Sequence, residues 1–296
     1  MGLESDEYDL QPKTATQNPK LPMHPVLFKI GSFEVPSFGA MMVLAFFGGL
    51  WLARQRAPAY GLTPEKMSDG AFWALIAGIF GARAFFILQE YHYYFADYRR
   101  IFTLRFEGLT SFGGLICGGL ALMIWARKQK LSVLPFLELA APGFLLAHLI
   151  GRFGCLLNGC CFGGVCPTNT PWGIHIPGQS DLHHPAQVYD SLMNLVALGA
   201  VLAFARRPHK LGQITGLTLI LHGITRFIYE FWRAGTVAQV EAGRASSTYW
   251  GTLPITQAQV MALVLSAVGV ALFVLTRGPQ VVEKEIPVTP SEVAPA

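Results

Sequence analysis

The sequence predicts an all-α polytopic membrane protein of about seven transmembrane helices, with the N-terminus outside and the C-terminus inside. Three observations carry that reading. Charged residues make up only 14% of the 296 residues and apolar ones 52%, whereas soluble domains carry about 25% charged residues. Apolar runs close to the ~20 residues that span a bilayer recur along the chain. Basic residues counted at alternate helix ends favour one side, 11 against 8, and on that side they sit in short loops beside the helix ends. The net charge of +4 is small and scattered, so no basic tract suits nucleic acid.

Residues 1–20 read as a flexible, solvated tail, and residues 1–34 lack the basic-then-apolar order of a signal peptide. The apolar segments follow at about 35–53, 70–89, 109–126, 134–157, 187–205, 211–230 and 258–276. These form one membrane domain over residues 21–278, closed by a second flexible tail at 279–296. The second segment contains Arg83. The third opens on a glycine-rich stretch from Gly108 to Gly119, suited to close helix contact. The fourth ends in Gly151, Arg152 and Gly154. The Gly/Pro-rich link 158–186 reads as an ordered loop over the bundle, on the outer side.

Orientation rests on Arg54, Arg56 and Lys66, on Arg127, Lys128 and Lys130, and on Arg206, Arg207 and Lys210. All nine lie in short loops that the positive-inside rule places on the inner side. Helices two, four and six then run outward, which puts Arg83, Arg152 and Arg226 in the outer halves of their helices. An arginine in hydrocarbon costs roughly 2.5–3.5 kcal/mol on insertion scales, so three at similar depth point to an anionic partner. Arg226, Glu230 and Arg233 share one helix face at i, i+4 and i+7, one turn after His222. Glu230 can orient one guanidinium while another meets a phosphate, which a planar fork of donors suits. The alternative is an ion pair that only locks the bundle. Just before the fifth helix, His184 titrates near neutral pH and can act as a base, with Gln187 and Tyr189 adding polar groups. The alternative there is an interfacial helix start with an aromatic anchor.

Of the five cysteines, Cys155, Cys160, Cys161 and Cys166 fall within twelve residues. Their spacing matches neither a paired zinc knuckle nor a thioredoxin motif. Packing or a disulfide ranks ahead of a metal site, and no metal or organic cofactor is expected.

Six stretches, in order, resemble one family. The run from Gly151 through Arg152, Gly154, Cys155 and Asn158 to Cys160 is similar to the signature of the prolipoprotein diacylglyceryl transferases, Gly-Arg-x-Gly-Asn-Phe-x-Asn-x-Glu. Gly81 to Arg83, Gly108 to Gly114, His184 to Tyr189, Gly223 to Arg233 and Thr256 to Gln259 resemble its other motifs. The resemblance covers about residues 26–276. It implies a seven-helix enzyme of the cytoplasmic (inner) membrane bilayer, with its active site on the outer, periplasmic side. Such an enzyme transfers the diacylglyceryl group of phosphatidylglycerol to the lipobox cysteine of an exported prolipoprotein and releases glycerol phosphate, the first step of lipoprotein maturation.

On that resemblance Arg152, Arg226, Glu230, His184 and Asn158 are the catalytic candidates. Arg83, Arg233, Gln187, Tyr189, Gly151 and Gly154 are the substrate-binding ones. Cys155 and Cys160 stand where the family signature has Asn and Glu, Phe112 where it often has His or Tyr, and Phe38 where Tyr is common. The phosphate-binding half of the site is retained and the proton-handling half is altered, leaving His184 as the substitute base. Those departures leave room for a same-fold paralog with another acceptor or lipid, or for a non-catalytic lipid-binding or transport protein.

Overall fold

The computed structural model describes residues 24–31, 33–89, 91, 94, 111–167, 169–176, 181–233, 255–276 and 280–281. Seven α-helices form among them: α1 (Ser37–Arg56), α2 (Pro64–Gln89), α3 (Ser111–Lys128), α4 (Val133–Asn158), α5 (Ala186–Ala205), α6 (Gln213–Arg233) and α7 (Gln257–Leu275). Each overlaps one expected apolar segment, with ends moved by a turn or so where caps extend it. Thr63 caps α2, its Oγ1 accepting from Lys66 N at 3.3 Å. Thr256 and Gln259 make a reciprocal capping box at the start of α7 (3.2 and 3.0 Å).

Among the described residues, five spans are long and apolar enough to cross a membrane: Ser37–Tyr60, Pro64–Leu88, Val133–Asn158, Ala186–Ala205 and Gln257–Leu275. Each of the seven expected apolar segments matches a described helix, and five of these helices qualify as spans by length and apolarity alone. Helix α6 carries His222, Arg226 and Glu230 within its length, and α3 ends on Arg127 and Lys128. Both pack against qualifying helices, α6 on α7 and α3 on α2. Large apolar side chains such as Phe80, Val196, Val274 and Leu275 stay more than 70% or about 70% exposed. Water penalises such a surface and lipid does not, which makes this a multi-pass membrane architecture.

Helix α4 is the centre, packed on α1, α5 and α6, with α2–α3 and α6–α7 as flanking pairs. In hydrocarbon the apolar effect does not choose between lipid and helix, so small residues that admit close backbones hold the pairs together. A Cβ on Gly49 of α1 would stand 2.8 Å from the Gly143 carbonyl of α4, and one on Gly143 would stand 2.8 Å from the Gly49 carbonyl. Gly216 of α6 and Gly269 of α7 meet in the same way. Helices α4 and α6 each run antiparallel to α5, since Asp190 meets Arg152, Asn194 meets His222, and Leu198 and Val201 cluster with Leu145 and Ile214. The C-terminal ends of α4 and α6 therefore sit together.

A buried polar cluster sets the start of α6. Pro142 inside α4 has no N–H, which leaves the Glu138 carbonyl without its helical partner. Arg56 Nη1 donates to that carbonyl at 3.3 Å. The Glu138 carboxylate accepts from Ile214 N (3.2 Å), Thr215 N (2.8 Å) and Thr215 Oγ1 (2.7 Å), capping α6 from another helix. Arg56, expected as a loop cation, is instead buried, because this cluster claims it.

Among the described residues, three two-stranded ribbons accompany the helices: β1 (Val26–Ile30) with β2 (Phe33–Pro36), β3 (Ile174–His175) with β4 (Leu182–His183), and β5 (His209–Lys210) with β6 (Gln280–Val281). Residues 280–281, assigned to the C-terminal tail, are thus paired. The rest of that tail, like residues 1–20, lies outside the described residues. The link after α4 is ordered where it is described. His184 N donates to Gly164 O (3.0 Å), Gly163 N to His184 O (2.9 Å) and Gly164 N to Trp232 O (2.9 Å), which lays it across the end of α6.

Candidate active site

The ends of α4 and α6, the first turns of α5 and the link between α4 and α5 converge on one polar cluster. From α4, Arg152 pairs through Nε with Asp190 of α5. The same carboxylate takes His148 Nε2 at 3.0 Å and Asn194 Nδ2 at 2.7 Å, and Asn194 Oδ1 meets His222 Nδ1 at 3.1 Å. His148 lies one turn before Arg152 on the same face of α4, so a single buried aspartate receives both. From α6, Arg226 pairs with Glu230, which also takes Arg233 Nη1 at 3.3 Å. The side chains of Asp190 and Glu230 are each 1% exposed.

Tyr229 joins the two halves. The guanidinium carbon of Arg152 lies 5.0 Å from its ring centroid and that of Arg226 lies 4.8 Å from it. The two guanidiniums are therefore no further apart than the sum of those distances, both in cation–π range. The Tyr229 hydroxyl is buried and has no hydrogen-bond partner among the described residues. A buried hydroxyl without a partner is uncommon, and the ring that carries it has two guanidiniums over it.

The link supplies the other candidates. His184 Nδ1 meets Tyr189 Oη at 3.3 Å, and Trp172 Nε1 donates to the same oxygen at 2.8 Å. Tyr189 and Trp232 stack edge-on at 5.4 Å. Partial burial, with His183 beside it, lowers the His184 pKa below the ordinary imidazole value, so the neutral, proton-accepting form prevails at neutral pH. Gln187 Nε2 donates to Cys160 O at 2.6 Å, while its Oε1 is buried without a partner among the described residues.

Arg152 and Arg226 are brought together, with Glu230 and Arg233 beside them. His184, Gln187 and Tyr189 form an adjoining group. Asn158 ends α4, two residues before Cys160. Gly154 serves packing: a Cβ there would stand 3.0 Å from Met41 Cβ of α1. Gly151 meets only Met42 Sδ at 3.7 Å, an ordinary contact. Arg83 of α2 stacks over Phe86 (5.9 Å) and Tyr94 (5.3 Å), and α2 packs chiefly on α3. The Phe112 side chain and Gly108 lie outside what is described.

All five cysteines are free thiols. The sulfurs of Cys155, Cys160 and Cys161 nonetheless gather within 4.8 Å of one another, while Cys166 is buried elsewhere in the link. The Cys155 and Cys161 thiols, then Asn158 and the Arg152 charge, favour the thiolate of Cys160.

Asp190, Asn194, His148 and Tyr229 were not singled out from sequence. An aspartate within an apolar helix is a signal that points to Asp190. Nothing local distinguishes Tyr229 from an interfacial tyrosine.

The profile described as "Prolipoprotein diacylglyceryl transferase" matches residues 25–275. Curated relatives named phosphatidylglycerol–prolipoprotein diacylglyceryl transferase include that of Finegoldia magna, 32% identical over 83% of this chain and 94% of the relative. That of Nitratidesulfovibrio vulgaris is 31% identical over 86% and 94%, and that of Acaryochloris marina is 30% identical over 85% and 89%. With the profile spanning nearly every described element and the relatives covered almost end to end, this chain belongs to the prolipoprotein diacylglyceryl transferase family.

Proposed function

We propose that this protein transfers the diacylglyceryl group of phosphatidylglycerol to the lipobox cysteine of exported prolipoproteins, at a site on the outer side of the cytoplasmic membrane. The names of the relatives support the reaction. The observation that carries it to these residues is the pair of guanidiniums, Arg152 and Arg226, gathered on the buried Tyr229 ring beside its unpartnered hydroxyl. The basic inner loops support the orientation.

In the reaction the acceptor sulfur attacks the glyceryl carbon that carries the phosphate ester. A carbon–sulfur bond forms, the carbon–oxygen bond breaks, and glycerol phosphate leaves with the electron pair. Charge develops on the leaving phosphate, where preorganised cations in a low-dielectric site lower the barrier most. Arg152 and Arg226 fill that role, held by Asp190 and Glu230, with the Tyr229 hydroxyl donating to a phosphate oxygen. The acceptor thiol must lose its proton, since the thiolate is the nucleophile. His184, held neutral, takes that proton, with Tyr189 fixing its ring.

Purified protein reconstituted with phosphatidylglycerol and a lipobox peptide tests this through formation of the diacylglyceryl thioether by mass spectrometry. Arg226→Ala should abolish transfer, and transfer at the wild-type level would remove Arg226 from the site. Lipid binding without consumption on prolonged incubation would favour a carrier instead.

A further inference from the structure

Helix α4 ends in a Schellman motif. Gly159, at φ 71° and ψ 29°, donates its N–H to Leu156 O (3.1 Å), and Cys160 N donates to Cys155 O (3.1 Å). In this motif the residue after the glycine folds back against the residue five before it, usually as an apolar contact. Here both positions are cysteines. The next residue, Cys161, has φ 63°, a left-handed conformation that residues other than glycine seldom adopt. Together the two turns set three sulfurs within 4.8 Å of one another, with Cys161 Sγ 3.7 Å from Cys160 Sγ.

Those separations suit a thiolate-bound ion. Zinc–sulfur bonds of about 2.3 Å in tetrahedral geometry place sulfurs about 3.8 Å apart, so the widest pair need close by only about 1 Å. Three thiolates and a divalent ion leave one negative charge, and the Arg152 guanidinium, in the turn of α4 before Cys155, contributes a favourable field at all three cysteines. Cys161 is exposed, which keeps one side of the cluster open. Three protein ligands with one position open is the pattern of catalytic rather than structural zinc.

We infer that Cys155, Cys160 and Cys161 bind a thiophilic d10 metal ion, zinc as the probe, whose open fourth position takes the acceptor's cysteine sulfur. This rests on the transferase reading for the identity of the acceptor. The sulfur–hydrogen bond breaks as the sulfur binds, with the proton passing to the neutral imidazole of His184. The backbone of His184 pairs with Gly163, two residues beyond Cys161. The metal-held thiolate then attacks the glyceryl carbon, glycerol phosphate leaves, and the thioether, a weaker ligand, departs. The ion would sit at the two signature positions, Cys155 and Cys160, where this chain departs from the family's Asn and Glu.

The full chain, purified in detergent under anaerobic reducing conditions, is titrated with zinc against a competing chelator and with cobalt as an optical probe. One equivalent should bind, with thiolate-to-cobalt charge-transfer bands and the intense visible bands of a tetrahedral site. Cys155→Ser, Cys160→Ser and Cys161→Ser should each weaken binding at least about tenfold. Cys117→Ser and Cys166→Ser should not, and retained helical circular dichroism shows that each variant folds. Adding a lipobox peptide should shift the cobalt bands, and its Cys-to-Ser counterpart should leave them unchanged. Absence of stoichiometric binding, equal binding by the triple serine variant, or cobalt bands indifferent to the cysteine peptide would each overturn the inference. These readouts need no turnover, so an inactive protein that binds metal and shifts with the peptide defeats the transferase reading alone. Full transfer by the triple serine variant defeats the metal site alone.

Discussion

Replacing Asp190 by asparagine changes one charge at the point where three side chains meet. The carboxylate holds Arg152, His148 and Asn194, and its side chain is 1% exposed while that of Arg152 is 15% exposed. The amide keeps the volume but loses the charge that orients the guanidinium. A hydrogen bond to a charged group contributes about 1.5–3 kcal/mol, and each 1.36 kcal/mol is tenfold in rate. If Arg152 stabilises the leaving phosphate from the position Asp190 gives it, kcat/KM for transfer to a lipobox peptide should fall about 10- to 150-fold. The buried arginine left without its partner should also lower the melting temperature, since breaking such a pair costs about 3–5 kcal/mol. A cycle with Arg152→Ala separates position from stability. Both single changes remove one interaction, so the double variant should lose little more activity than Arg152→Ala alone. Asp190→Asn within threefold of wild type, or losses that multiply in the double variant, would refute the coupling.

Four further outcomes are expected. Arg226→Lys keeps a charge beside Glu230 but loses the planar fork of donors, so kcat should fall about tenfold or more with KM less affected; an unchanged kcat would show that a point charge suffices. The acid limb of the pH–rate profile should lie below pH ~6.5, because the depressed pKa of His184 keeps it neutral to lower pH and activity is lost only as pH falls through that value. His184→Gln should lower the rate and flatten that limb, and a limb that persists unaltered would assign it to another group. Glu138→Ala removes the acceptor of three hydrogen bonds at the start of α6, which should cost about 0.5–2 kcal/mol or more in a thermal melt; an unshifted melt would show that the cap adds nothing. Gly49→Ala drives a methyl to 2.8 Å from the Gly143 carbonyl and should cost about 1–3 kcal/mol. Gly119→Ala meets nothing within 4 Å and serves as the comparison.

The helices were legible because hydrophobicity over a window of about 20 residues is a local property of the chain. Arg226, Glu230 and Arg233 were legible as a group because one helix face follows from spacing alone. Depth along a helix can be counted from sequence, but rotation and neighbourhood cannot. Cys155, Cys160 and Cys161 show the converse. Their spacing matches no familiar metal motif, yet a helix-ending turn at Gly159 and a left-handed Cys161 bring the sulfurs together.

Composition, spacing and motifs were enough to read an all-α membrane chain, the positions of the seven described helices, the family, and the arginines and histidine proposed for the chemistry. The tertiary structure alone decided that Arg152 answers to Asp190, 38 residues away, and that Tyr229 gathers Arg152 and Arg226. It alone set the start of α6 through Glu138, 76 residues before Ile214. The physical reason is common to all of these. A pairing across helices depends on how α4, α5 and α6 are rotated and packed, and their close-packed glycines and buried ion pairs fix that only once the bundle is assembled.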